Sequence, residues 1–84
     1  MNEKFVLYQD PFCPFCRRVT DFMESNAIVI PTRDITRDGG AYRDLVRGGG
    51  RGTVPCLQIT SENGNATWMY ESLEIIAFLE NELG

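Results

Sequence analysis

Histidine is absent from this 84-residue chain, and cysteine occurs only three times. Without histidine the protein lacks the commonest metal ligand and the side chain that most often transfers protons near neutral pH. Structural zinc usually takes four cysteine or histidine ligands, so we expect no metal site within the chain. Three cysteines are too few for a disulfide scaffold, and their arrangement is therefore more informative than their number.

Long apolar runs are also missing from the sequence. The longest, Phe5–Tyr8, is far shorter than the ~20 residues that cross a bilayer. The first residues lack the basic start and the apolar stretch of a secretory signal. We therefore expect a cytoplasmic protein with no membrane partner.

Positive charge is scarce, with eight basic residues against twelve acidic ones and a net charge of −4. This balance argues against a nucleic-acid partner, which selects for a basic surface. The charge is uneven, because residues 62–84 contain five glutamates and no lysine or arginine, whereas the preceding 61 residues sum to about +1. Seven of the eight basic residues are arginine, which binds carboxylates bidentately, so the first part of the chain can accept a small anionic ligand.

The hydrophobic fraction of 43% is enough for one core, and we interpret residues 1–84 as a single domain. Hydrophobic periodicity predicts seven elements in the order β-α-β-α-β-β-α. The predicted strands are Phe5–Tyr8, Ala27–Ile30, Val54–Thr60 and Ala66–Met69, and the predicted helices are Pro14–Ser25, Ala41–Val46 and Leu73–Glu82. Helices separate the first three strands, which predicts an α/β fold with a four-stranded mixed sheet flanked by three helices.

Three connections have clear turn signals. Asp38–Gly40 is predicted to be a turn, and the glycine-rich segment Gly48–Gly52 a flexible loop. Asn63 and Gly64 predict a type I′ hairpin turn, which would place the fourth strand at an edge of the sheet.

The pair Cys13 and Cys16 is the sharpest chemical feature, because it lies at the junction of the first strand and the first helix. Cys13 is predicted to cap the helix, where unpaired N–H groups and the positive end of the helix dipole stabilise a thiolate. Arg17 and Arg18 add positive charge, and Asp10 opposes it. Cys16 lies one turn further along and is expected to be more buried.

Val54 and Pro55 form the second feature, at the start of the third predicted strand. A cis peptide bond here would turn the N–H and C=O of Val54 toward a ligand beside Cys13, although an ordinary edge-strand proline explains the sequence equally well. Cys56 is interpreted as a small buried residue rather than as a third redox thiol.

These residues resemble those of glutaredoxins in the thioredoxin-fold superfamily, over nearly the whole chain. The matching segments are Cys13–Cys16, Arg51–Pro55 and Tyr70–Ser72. The pair Glu71 and Ser72 is also similar to the Glu-Ser of glutathione transferase N-terminal domains. The resemblance implies a thioredoxin-like fold.

The resemblance implies glutathione-dependent reduction of protein disulfides and of glutathione mixed disulfides. Cys13 matches the nucleophile and Cys16 the resolving thiol. No tightly bound cofactor is implied, only glutathione as the reducing co-substrate, with disulfide-containing or glutathionylated proteins as partners of a monomer. The residues implied to bind glutathione are Phe15, Arg51, Thr53, Val54, Pro55, Glu71 and Ser72.

Two departures from glutaredoxins are present, and several alternatives stay open. Glu71 and Ser72 replace the Gly-Gly…Asp-Asp region that glutaredoxins usually have at the last helix. Asp10 occupies the position where glutaredoxins usually have a basic residue. Ser72 can bind the γ-glutamyl carboxylate or act only as a helix cap. The alternative functions are an iron–sulfur carrier that shares a cluster through Cys13 of two chains, a redox-inert interaction module, and a glutathione-transferase-like activity. We expect the last less, because such enzymes use a second helical domain and this sequence ends at Gly84.

Overall fold

The computed structural model describes residues 3–83, and within that range it contains the predicted order of strands and helices. The first strand and the first helix lie close to their predicted positions. The helix begins at Pro14, because the fixed φ and missing N–H of proline are tolerated in the first turn. The elements are β1 (Lys4–Gln9), α1 (Pro14–Ser25), β2 (Thr32–Asp34), α2 (Gly39–Gly49), β3 (Cys56–Thr60), β4 (Ala66–Met69) and α3 (Ser72–Leu83).

The four strands form one mixed sheet in the order β2-β1-β3-β4. β1 is parallel to β2 and antiparallel to β3, and β4 pairs antiparallel with β3 at an edge. This arrangement confirms the predicted mixed sheet and the edge hairpin. Within residues 3–83, no helix is both long enough and apolar enough to span a bilayer.

The core lies on both faces of the sheet, because neighbouring residues of a strand point to opposite faces. On one face, Leu7 of β1 pairs with Leu57 of β3, and both are buried against Val19 of α1 and Leu79 of α3. On the other face the pair is Tyr8 and Cys56, packed against α2 residues. Cys56 is therefore a fully buried core residue, as predicted.

The second strand does not lie at residues 27–30, so this prediction is wrong. Asn26 ends α1, and Ala27 adopts a left-handed conformation with φ of 54°. Ile28 is buried in the core, and pairing with β1 begins only where the N–H of Leu7 donates to the C=O of Pro31 at 2.9 Å. The apolar run therefore reflects the core contacts of Ile28 and Ile30 in a connecting segment, and β2 follows it at Thr32–Asp34.

The predicted turn at Asp38–Gly40 is instead the start of α2. Asp38 is the N-cap residue, and its carboxylate accepts a hydrogen bond from the N–H of Ala41 at 3.1 Å. This capping bond satisfies a donor of the first helical turn and allows the helix to begin at Gly39.

The glycine-rich segment is a loop only in its second part, because α2 continues through Gly49 and ends at Gly50, which has φ of 89°. Residues 50–52 lie outside the helices and strands, so the loop prediction is wrong for Gly48 and Gly49 alone. A Cβ atom on Gly48 would overlap the ring of Trp68, and one on Gly49 would overlap the hydroxyl of Tyr70. These glycines therefore serve close packing against aromatic side chains, which outweighs their low helix propensity.

The hairpin between β3 and β4 has a three-residue loop and not the predicted two-residue type I′ turn. The C=O of Ser61 accepts from the N–H of Gly64 at 3.0 Å, and the N–H of Ser61 donates to the C=O of Asn65 at 2.9 Å. Gly64 has φ of 89°, whereas Asn63 is not among the positive-φ residues of the described chain. A type I turn followed by a left-handed glycine has this pattern.

Candidate functional site

The strand-to-helix junction holds Cys13 as the N-cap residue of α1, with φ of −88° and ψ of 123°. Its N–H donates to the C=O of Asp10 at 3.0 Å, and its C=O accepts from the N–H of Arg17 at 2.9 Å. The side chain is half-buried and makes no capping hydrogen bond within residues 3–83. The predicted cap position of Cys13 is thus confirmed, and its thiol is left accessible.

Cys16 has a very different environment, because its side chain is completely buried. The backbone N–H of Asp10 donates to its Sγ at 3.4 Å. Burial raises the pKa of the Cys16 thiol to about 12, and its hydrogen-bonding and charge interactions with Cys13 act in the same direction. Both cysteines are free thiols, so the pair consists of one accessible and one buried, protonated sulfur.

Asp10 has a structural role in this junction. Its carboxylate accepts a hydrogen bond from the N–H of Phe12 at 2.9 Å, and its C=O accepts from Cys13. An aspartate that bonds the N–H two residues further along closes an Asx turn. At the position where glutaredoxins usually have a basic side chain, this chain therefore has a carboxylate that shapes the loop before Cys13.

A cavity of about 410 Å³ borders the cysteine turn. All seven residues that the resemblance implied for glutathione binding line it. The cysteines are outside this wall, and Phe15, which lies between them in the sequence, connects it to their turn. The wall consists of Phe15, Arg18, Arg51, Thr53, Val54, Pro55, Tyr70, Glu71, Ser72 and Leu73.

One side of the wall is the segment before β3, in which the Val54–Pro55 peptide bond is cis. Of the two interpretations of this proline, the cis form is therefore confirmed. Among residues 3–83, the N–H and C=O of Val54 have no hydrogen-bond partner. Unpaired main-chain groups beside a cavity can bind an extended, peptide-like ligand in the manner of an added strand.

The opposite side of the wall is the start of α3. Ser72 is only 8% exposed, and within residues 3–83 its hydroxyl has no hydrogen-bond partner, so no side-chain cap is formed. Helical hydrogen bonding begins with the N–H of Ile75, which donates to the C=O of Glu71 at 2.9 Å. The first N–H groups of a helix have no acceptor inside it and carry partial positive charge. This helix start and the Ser72 hydroxyl together suit a carboxylate.

The charges in the wall are unpaired. Within the described chain, neither Arg18 nor Arg51 forms an ion pair, and the same is true of Glu71. The two guanidinium groups lie over aromatic rings, Arg18 5.7 Å from the centre of Phe15 and Arg51 4.3 Å from the centre of Tyr70. The cavity therefore presents two cationic groups and one carboxylate to a ligand.

Three wall residues were missed by the sequence interpretation as cavity residues, namely Arg18, Tyr70 and Leu73. Arg18 follows Phe15 by three positions in a helix, and this spacing places both on one helical face. Tyr70 and Leu73 flank the pair Glu71 and Ser72, so proximity in sequence was the available signal. The cavity wall does not include Trp68 or Tyr42.

Comparison with known proteins identifies a family. The family model of the glutathione S-transferase N-terminal domain matches residues 12–82. No curated protein sequence is significantly similar to the chain.

Solved structures share the fold. A variant of the thioredoxin-like protein BC3987 has a TM-score of 0.71 at 22% identity, covering 93% of this chain and 95% of that one. The trimeric Leishmania glutathione transferase TDR1 has a TM-score of 0.72 at 25% identity, covering 92% of this chain but 17% of the transferase. Glutaredoxin from Brucella melitensis has a TM-score of 0.57 at 18% identity, covering 95% of this chain and 80% of the glutaredoxin.

These matches confirm the thioredoxin-like fold with glutathione transferase N-domain character. The family match, together with the accessible and buried thiols described above, supports a thiol-redox or transferase-like role. The family match spans most of the sequence, and the chain belongs to the glutathione S-transferase N-terminal domain family.

Proposed function

We propose that this protein is a glutathione-dependent thiol–disulfide oxidoreductase, with Cys13 as nucleophile and Cys16 as resolving thiol. The observation that carries the proposal is the cavity beside the cysteine turn, because its unpaired groups complement glutathione. Glutathione has two carboxylates, one ammonium group and an extended peptide backbone. The cavity has two free guanidinium groups, one free carboxylate and the unpaired main-chain groups of Val54.

Each part of the ligand has a counterpart. The start of α3 and Ser72 suit the γ-glutamyl carboxylate, and Glu71 suits the neighbouring ammonium group. Val54 pairs with the cysteinyl part in strand fashion, which directs the ligand thiol toward Cys13. Arg18 and Arg51 supply the positive charge that Asp10 does not, and either guanidinium can bind the glycyl carboxylate.

The proposed cycle uses the different environments of the two cysteines. The accessible Cys13 thiolate attacks one sulfur of a substrate disulfide, which forms a mixed disulfide and releases the other sulfur as a thiolate. Cys16 then attacks Cys13 Sγ and gives up its proton to the departing substrate sulfur, which leaves a Cys13–Cys16 disulfide and a reduced substrate. Two glutathione molecules restore both thiols and become one glutathione disulfide. When the substrate is glutathionylated, Cys13 alone can complete the exchange with one further glutathione.

The test is glutathione-coupled reduction of a small mixed disulfide, followed through glutathione reductase and NADPH. We expect Cys13→Ser to be inactive and Cys16→Ser to retain the route that needs one thiol. Cys56→Ser is the matched control, since its sulfur lies on the α2 face of the sheet and not beside the turn. Full activity in Cys13→Ser, or inactivity of the wild type with glutathione, would contradict the proposal.

A transferase-like conjugation of glutathione is the second candidate, and the family match together with the unpartnered Ser72 hydroxyl favours it. In this case the enzyme would activate the glutathione thiol rather than exchange a disulfide. Conjugation of glutathione to 1-chloro-2,4-dinitrobenzene by Cys13→Ser, lost in Ser72→Ala, would support this function over disulfide exchange.

A further inference from the structure

Tyr70 connects β4 to α3 and lies in the cavity wall, yet neither proposed chemistry uses it directly. Its ring packs against the buried residues on the α2 face of the sheet, which include Tyr8 and Cys56. Its hydroxyl also reaches the segment after α2, where it contacts the backbone of Arg51. Tyr70 therefore joins a rigid part of the core to a segment that contributes Arg51 to the cavity.

Tyr70 contacts both the backbone and the side chain of Arg51. The Tyr70 hydroxyl donates to the C=O of Arg51 at 2.9 Å and accepts from the N–H of the same residue at 3.2 Å. The Arg51 guanidinium also lies 4.3 Å from the centre of the Tyr70 ring. One side chain thus holds both the backbone and the charged group of Arg51.

The sequence before Arg51 accommodates this contact. Gly49 lies beside the Tyr70 hydroxyl, so that any side chain there would displace it. Gly50 ends α2 in a left-handed conformation, which turns the chain toward Arg51. The glycine segment therefore allows the approach of Tyr70, and Tyr70 fixes the first residue after it.

We infer that Tyr70 is a positioning residue that fixes Arg51 at the cavity wall to receive a glutathione carboxylate. The inference rests on the proposed function, and it adds a residue that acts through Arg51 rather than on the ligand. An exposed arginine without an ion pair has many rotamers to lose on binding. Stacking and backbone anchoring remove part of that loss before the ligand arrives, which strengthens binding without a new contact.

The experiment compares Tyr70→Phe, which keeps the ring and removes the hydroxyl, with Tyr42→Phe. Tyr42 is a matched control, because its ring also packs against a glycine, Gly52, while it is outside the cavity wall. We expect Tyr70→Phe to raise the KM for glutathione about 5- to 20-fold with kcat within about twofold, since bound-state contacts and not sulfur chemistry are affected. Tyr42→Phe should leave both constants unchanged.

A double-mutant cycle separates positioning from a general structural effect. If Tyr70 acts through Arg51, the double variant Tyr70→Phe, Arg51→Gln should have the same KM as Arg51→Gln alone. A KM effect of Tyr70→Phe that persists in full in the Arg51→Gln background would overturn the inference, as would an unchanged KM in Tyr70→Phe.

A measurement without ligand keeps this inference separate from the proposed function. Hydrogen exchange of the Arg51 amide should accelerate at least tenfold in Tyr70→Phe, since its acceptor is lost, and stay unchanged in Tyr42→Phe. Unchanged exchange in Tyr70→Phe overturns the inference whatever the activity. A wild type without glutathione activity refutes the proposed function, and accelerated exchange would then still support Tyr70 as the group that positions Arg51.

Discussion

Asp10 and Cys16 are joined by a hydrogen bond in which the backbone N–H of Asp10 donates to the sulfur over 3.4 Å. The bond ties the loop before α1 to a side chain inside the helix. Cys13 lies between them in the chain and is only half-buried, whereas Cys16 and Cys56 are completely buried. The accessible Cys13 thiol and the two buried thiols are thus in different environments, which leads to chemical predictions.

Alkylation should be confined to one thiol under mild conditions. Burial raises the pKa of Cys16 to about 12 and that of Cys56 to about 11, so both stay protonated and shielded at pH 7.5. Cys13 is the accessible sulfur, and we expect iodoacetamide to modify it at least about tenfold faster than the other two. Mass spectrometry of proteolytic peptides over time measures the three rates. Rapid labelling of Cys56 in the folded wild type would contradict the buried assignment, and in Cys13→Ser the fast adduct should be missing.

The cysteine turn could be located from sequence because its determinants are local. Pro14 suits the first turn of a helix, and the preceding strand ends at Gln9, so the position of the nucleophile follows from neighbouring residues. The cis bond at Val54–Pro55 could not be chosen over the trans form, since sequence made both interpretations equal. The spacing of Arg18 from Phe15 within α1 could have indicated a cavity position, whereas the contact of Tyr70 with Arg51 depends on packing between distant segments.

The end of α2 also could not be predicted from the local sequence. Gly48 and Gly49 have low helix propensity, and only the rings of Trp68 and Tyr70, some twenty residues later, explain why a helix continues through them. The strand predicted at 27–30 failed for a related reason. Ile28 is buried in the core and Ile30 packs against it, but both belong to a connecting segment. Sequence periodicity reports burial, and burial alone does not distinguish a strand from a packed connection.

Folding stability should fall above pH 9 because of the buried thiols. The ordinary thiol pKa is 9.0, and burial raises that of Cys56 to about 11 in the folded protein. Between these values the unfolded chain loses a proton that the folded chain keeps, so the stabilising contribution present below pH 9 is lost as the pH rises. We expect the wild type to lose about 1–2 kcal/mol more than Cys56→Ala between pH 8 and about pH 10.5.

Urea unfolding at several pH values measures this difference, and Cys16→Ala should show a similar relative change, because the pKa of Cys16 is raised to about 12. At pH 8, the difference in the free energy of unfolding between each variant and the wild type reflects only the packing cost of the substitution. Parallel stability curves for the wild type and both variants over this pH range would refute the predicted shifts.

The carboxylate of Asp10 should stabilise the loop through its acceptor oxygen rather than through its charge. Asp10→Asn keeps an oxygen for the N–H of Phe12, whereas Asp10→Ala removes it. We expect Asp10→Ala to lower the free energy of unfolding by about 1 kcal/mol and Asp10→Asn by less than about half of that. Equal losses in both variants, measured by urea unfolding at pH 7, would assign the effect to charge instead.

The glycines of α2 should differ in their tolerance of a methyl group according to what faces them. Gly39, at the start of the helix, has open space around it, whereas a Cβ on Gly49 would overlap the Tyr70 hydroxyl. Alanine is a better helix former than glycine, so we expect Gly39→Ala to raise the free energy of unfolding by between zero and about 0.5 kcal/mol. Gly49→Ala should instead cost about 1–3 kcal/mol, because the overlap forces the Tyr70 ring or the end of α2 to move.

Combining the Gly49 substitution with a smaller partner identifies the cause of that loss. In the background of Tyr70→Ala, where the overlapping group is removed, Gly49→Ala should cost less than about 0.5 kcal/mol, and helix propensity can make it stabilising. Urea unfolding of the four proteins gives the coupling free energy between the two positions. A cost of Gly49→Ala that is the same in both backgrounds would mean that the close approach of Tyr70 is not the reason for the glycine at this position.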